Sequence, residues 1–214
     1  MTFVSWAARS VRTLFACPLH TMFHPADGYY DMRHEGGGSL KQAAVLFVLF
    51  WLSFSFNRQY AGFVVNEIYP LSLSLLGDLF SIALVFLLLC AANWSVTTLM
   101  DGEGAFRHIA IALSYALLPL IFALAPATVF SRFLTLDEAA FYYMIIGAAL
   151  AWSAMLLFMG ILTIHNYTVG KTVATLVLTA VAALIIVFLA LLVGSLIQQM
   201  WTFVGSVYSE LLYR

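Results

Sequence analysis

The sequence predicts an all-α, polytopic integral membrane helical bundle, with five transmembrane helices plus amphipathic interfacial helices at both ends. Three observations carry this. Hydrophobic residues make up 64% of the chain and charged residues only 9%, with a mean hydropathy of +1.00, so a water-solvated fold would expose far too much apolar surface. Apolar blocks recur that are long enough to cross the roughly 30 Å hydrocarbon core as helices. Short polar islands separate them, the most compact being Asp101-Gly102-Glu103-Gly104-Ala105-Phe106-Arg107-His108. The bilayer is therefore the expected solvent and first partner. A net charge of -1 implies no nucleic-acid partner and no bulk attraction to anionic surfaces.

From the start of the chain, Phe3, Trp6, Ala7, Val11, Leu14 and Phe15 fall at helical spacing opposite Ser5, Arg9, Ser10, Arg12 and Thr13. That pattern predicts an amphipathic helix on the membrane surface. Arg9 and Arg12 interrupt any signal-peptide core, so the segment is expected to be retained. His24-Pro25-Ala26-Asp27-Gly28 predicts a turn. Gly36-Gly37-Gly38 followed by Ser39 and Lys41 lacks the Gly-Lys-Ser/Thr order of a phosphate loop, so no nucleotide cofactor is expected. Two cysteines, Cys17 and Cys90, make no disulfide framework.

Ser39-Leu40-Lys41-Gln42 has capping-box spacing and opens the first span, Leu40 to Phe56. A polar and aromatic connection follows from Asn57 to Pro70. The second span ends near Leu99, and its one acid, Asp78, has two readings. Buried carboxylates in membranes are functional candidates because burying them is costly. Alternatively, Gly77-Asp78 caps a helix covering Leu79 to Leu99. The third span, Ile109 to Phe130, should be kinked by Pro119 and Pro126. Thr135-Leu136-Asp137-Glu138 is a second capping box, before a fourth span from Ala140 to Ile164. The turn from His165 to Lys171 leads to a fifth, Val173 to Ile197. Gly147 with Ala151 and Ala190 with Gly194 offer small faces for packing inside the bundle. After Gln198-Gln199, Met200, Trp201, Val204, Val207, Tyr208, Leu211 and Leu212 form a stripe that predicts a second surface helix.

Three regions follow: 1–39, a cytoplasmic amphipathic segment; 40–197, the five-helix domain; and 198–214, an extracytoplasmic amphipathic helix. The sidedness comes from Lys and Arg. One face collects Arg9, Arg12, Arg33, Lys41, Arg107 and Lys171, and the other only Arg58, Arg132 and Arg214. Basic residues stay inside, so the expectation is a multi-pass protein of the cell membrane with a cytoplasmic N-terminus and an extracytoplasmic C-terminus.

His24-Pro25 with Asp27-Gly28, the Gly102-Glu103-Gly104-Ala105-Phe106 loop, Ser114-Tyr115 with Pro119, Gly147 with Trp152, and His165 to Gly170-Lys171 occur in one order along the chain. Together they resemble the Yip domain family, five-span proteins named as interactors of Ypt/Rab GTPases, over about Leu19 to Ile197. The short N-terminus is similar to the bacterial branch. The resemblance implies a non-enzymatic integral membrane protein, sometimes associated with ABC transporters.

The functional reading is an accessory or interaction subunit that docks membrane-protein partners through its cytoplasmic loops, amphipathic ends and lipid-facing helix surfaces. The expected interaction loop is Asp101, Gly102, Glu103, Gly104, Phe106, Arg107 and His108, with His24, Pro25, Asp27, His165 and Lys171 beside it. Gly102 and Gly104 are expected to relieve backbone conformations barred to other residues. A small-solute or lipid transporter is the alternative, although only Asp78, Asn93, Ser114 and Tyr115 could line a path. A metal site from His24, Asp27, His34, His108 and His165 has suitable ligand types but no known spacing. No catalytic triad, cofactor or metal set can be assembled from the sequence.

Overall fold

The computed structural model describes residues 15–66 and 74–213. The expected surface helix from Phe3 to Phe15 lies almost wholly outside the described residues. Its last residue, Phe15, belongs to helical residues 15–23. The described elements are then α1 (Pro25–His34), α2 (Leu40–Tyr60), α3 (Leu75–Leu99), α4 (Phe106–Ala116), α5 (Leu118–Ser131), α6 (Ala139–His165) and α7 (Val169–Leu212). Among the described residues there is no strand. The helices α2, α3, α4 with α5, α6 and α7 make five segments long and apolar enough to cross a membrane. This is a multi-pass, all-α membrane protein.

The crossing made by α4 and α5 is the centre. In its most apolar stretch 56% of residues are buried, against 6–28% in the other four crossings. It packs on α2 and α6 along both halves, while α3 joins α4 and α7 packs chiefly on α3. The kink expected in this crossing sits at Leu117, two residues before Pro119, whose missing N–H breaks the ladder there. Pro126 is carried inside α5. The main core gathers Tyr29, Met32, Ala43, Leu46, Ile111, Ala112, Tyr115, Leu118 and Ile164, so short α1 is built into the bundle.

The first capping box forms in full: Ser39 Oγ accepts the Gln42 N–H at 3.2 Å, and Gln42 Oε1 accepts the Ser39 N–H at 2.9 Å. The second expected capping box does not cap a helix: Glu138 accepts from both the Thr135 N–H and hydroxyl, which closes a turn ahead of α6, and Glu138 itself is the N-cap, with no side-chain cap bond. Polar groups inside the bundle pair across helices: Tyr115 with Gln42, Asn93 with Thr179, and Asn57 with Thr128 and Tyr142.

Four other expectations change. Asp27-Gly28 lies inside α1 rather than in a turn. A Cβ at Gly28 would stand 2.6 Å from Thr21 Cα, so this glycine serves close helix approach. A Cβ added at Gly147 or Gly194 would meet nothing within 4 Å beyond its own helix, and the tight glycine of α6 is Gly160, where an added Cβ would stand 3.0 Å from Tyr29 Cζ. Asp78 caps nothing. Ser74 is the N-cap, its Oγ accepting the Gly77 N–H at 3.2 Å, and Asp78 is buried in the first turn in an ion pair with Arg58. Finally, Gln198-Gln199 does not separate two helices, because neither residue breaks a helix. The 44 residues of α7 run on unbroken, about 66 Å at 1.5 Å per residue, twice what a bilayer core requires.

Candidate functional site on the loop face

The connection between α3 and α4 is shaped by how α3 ends. Asp101 takes the left-handed conformation, φ 53°, and the Gly102 N–H returns to the Thr97 carbonyl at 2.8 Å. That satisfies an end carbonyl of the helix. The turn after α6 repeats the device, with Asn166 at φ 54° and the Tyr167 N–H on the Leu162 carbonyl at 3.0 Å. Two helix ends of the same form thus lie side by side.

They interlock. The Tyr167 hydroxyl donates to the Met100 carbonyl at 3.1 Å, and the Gly104 N–H donates to His165 Nδ1 at 3.2 Å. The acceptor role of Nδ1 assigns the ring proton to Nε2, which is buried without a protein partner. The His165 ring stacks on Tyr167 with centroids 5.2 Å apart, and Lys171 Nζ stands 4.4 Å above the centre of the Tyr167 ring. A cation over an aromatic face is held by the ring quadrupole.

The glycines act here through space rather than through backbone freedom, a correction to the sequence expectation. Neither has positive φ; among the described glycines only Gly36 does. A Cβ at Gly102 would stand 2.5 Å from His165 Nδ1, 2.6 Å from the Tyr167 hydroxyl and 2.9 Å from the Thr97 carbonyl oxygen. At Gly104 it would stand 2.5 Å from Ile164 Cγ2 and 2.7 Å from His165 Cε1.

The third wall comes from α1 and was not singled out in the sequence. Arg33 donates to the Ile164 carbonyl at 2.6 Å and forms an ion pair with Glu103. One guanidinium therefore caps the end of α6 and ties down the loop. The hydrogen bond and charge of Arg33 hold the exposed Glu103 carboxyl below the usual carboxylate range. The available signal was the spacing: Tyr29, Met32 and Arg33 share one face of a helix. Tyr29 anchors that face, fully buried, with its hydroxyl donating to the Ala112 carbonyl at 3.4 Å.

Of the expected residues, Gly102, Glu103, Gly104, His165 and Lys171 meet in this braced loop, and Asp101 is exposed at its apex. Phe106 instead lies on the outside of α3, edge-on to Trp94 at 6.2 Å. Arg107 reaches the other way, to the Gly38 carbonyl at 3.4 Å. His108 Nδ1 accepts the Ala105 N–H at 3.4 Å. His24 precedes Pro25 at the far end of α1, exposed with Asp27 and stacked on His20. Among the described residues no three His, Cys, Asp or Glu side chains converge as a metal site would require. What the arrangement offers is a braced polar surface that exposes two carboxylates, Glu103 paired with Arg33 and Asp101 outside the ion pairs of the described residues.

Comparison with curated proteins and with solved structures finds no match. The Yip1 domain model matches residues 19–192, most of the chain including the braced loop, and the protein belongs to the Yip1 family.

Proposed function

We propose that the protein is a non-enzymatic accessory subunit of a membrane complex, docking a partner through the Asp101–His108 loop. The observation that carries this reading is the bracing of that loop by α1 and by the turn after α6. His165 accepts the Gly104 N–H, Arg33 pairs with the Glu103 carboxylate and Tyr167 donates to the Met100 carbonyl just before the loop, while Asp101 and Glu103 stay exposed. A preorganised surface loses less entropy on binding than a mobile one. Polar side chains within the spans mostly bond to one another or to carbonyls of their own helix, which favours docking over a solute path. An ABC transporter is the complex that the family resemblance points to. Replacing Asp101, Glu103 and Arg107 together with Ser should leave insertion and expression normal while the co-purifying partner is lost from mild-detergent extracts. Unchanged partner retention would move the docking surface to the helices.

On this reading the loop face is cytoplasmic and the membrane is the cell membrane, as the excess of Lys and Arg on that face supports. A reporter fused after Arg214 should then be exported. Reporter activity in the cytoplasm would reverse the orientation.

A further inference from the structure

The seam between α2, α3 and α4 contains an apolar groove of about 350 Å³, lined by Ala44, Phe47, Ala83, Phe86, Ala110 and Ser114. Side-chain size makes it: alanine and serine stand on all three walls where larger residues would close the gap. Its loop-face end is basic. Lys41 precedes Ala44 and Val48 by three and seven residues, and Arg107 precedes Ala110 and Ser114 by the same steps. Each cation therefore stands at the loop-face end of the groove, Lys41 beside the lining residue Leu40 and Arg107 one helical turn before Ala110. The bond from Arg107 to the Gly38 carbonyl draws its guanidinium against the segment leading into α2, whose first turn carries Lys41. Both cations are exposed, and the ion pairs among the described residues, Arg33 with Glu103 and Arg58 with Asp78, include neither. Helix α4 starts at the same level with no side-chain cap from Ala105, adding its positive dipole end.

We propose that this groove holds an acyl chain of an anionic phospholipid whose headgroup phosphate lies on Arg107 and Lys41. Basic pockets between transmembrane helices at the headgroup level select such lipids, and long basic side chains reach that level while their stems cover apolar surface. An apolar partner helix in the groove would cover two cations and bring no counter-charge, whereas a phosphodiester supplies one at the right depth.

Native mass spectrometry of the full chain in mild detergent tests this, with dioleoylphosphatidylglycerol and dioleoylphosphatidylcholine offered in equal amounts. One phosphatidylglycerol per chain should be retained, preferred by about thirtyfold given two interfacial cations. Lys41→Gln with Arg107→Gln should abolish the preference. Ala44→Phe with Ala110→Phe should fill the groove and lower retention while both cations remain, with an unchanged size-exclusion profile showing the fold intact. If that pair does not fold, Ala83→Leu on the α3 wall takes its place with the same expected loss. The inference is overturned if the two lipids are held equally, if a filled groove retains phosphatidylglycerol as before, if excess inorganic phosphate displaces it, or if a bound protein rather than a lipid accounts for the added mass. Ala44, Ala83 and Ala110 lie outside the docking loop, so this inference and the docking reading fail separately.

Discussion

Asp78→Ala should destabilise the protein by about 2 kcal/mol, roughly a thirtyfold change in the folded-to-unfolded ratio. Asp78 is buried in the first turn of α3, with 7% of its side chain exposed, and its partner Arg58 at the end of α2 keeps 30%. Stranding a fully buried charge costs roughly 3–5 kcal/mol, and partial exposure of Arg58 reduces that figure. Asp78→Asn should fall between the two, because an amide can still accept from the guanidinium but carries no charge. If Asp78 only capped the helix, Asn would serve equally well. Arg58→Leu combined with Asp78→Leu should recover most of the loss, since removing both partners leaves no buried charge unpaired. Thermal unfolding in one detergent measures all four proteins. A wild-type midpoint for Asp78→Ala would show that the pair does not hold α2 to α3.

The second large effect is expected at Gly102. Gly102→Ala introduces a Cβ within 2.9 Å of atoms from α3, α6 and the turn after α6. One of them is the Thr97 backbone oxygen, which has little room to move. Overpacking of this kind costs about 1–3 kcal/mol. The loss should be local: His165 and Tyr167 are pushed aside, and their bonds to Gly104 and Met100 break. Hydrogen exchange of amides in residues 100–105 should therefore rise well above wild type while the spans stay protected. Gly147→Ala is the control, because an added Cβ there meets nothing within 4 Å. Equal exchange in the two variants would mean that the loop is not braced by close contact.

Sequence alone determined what depends on composition and on neighbours along the chain. Apolar runs must cross the bilayer as helices because no water is present to satisfy their backbone, so the five crossings were legible from length and hydropathy. Local chemistry was equally legible: Ser39 with Gln42 and the break near Pro119 each act within a few residues. The loop from Asp101 to His108 was found as a polar island for the same reason.

Tertiary structure alone decided which residues meet. In a membrane, lipid-facing and buried surfaces are both apolar, so hydropathy cannot tell the central α4–α5 crossing from its neighbours, nor Gly160, packed on Tyr29, from Gly147, where an added Cβ would meet no other helix. Arg33 looked like one more charge marking a side of the membrane until α1 placed it 131 positions away in sequence, on the Ile164 carbonyl. Asp78 likewise needed Arg58, and the glycines of the loop needed His165 and Tyr167, before any of them had a physical role. Long-range pairing of this kind leaves no periodic trace in one chain, because it depends on how whole helices pack and not on spacing along any of them.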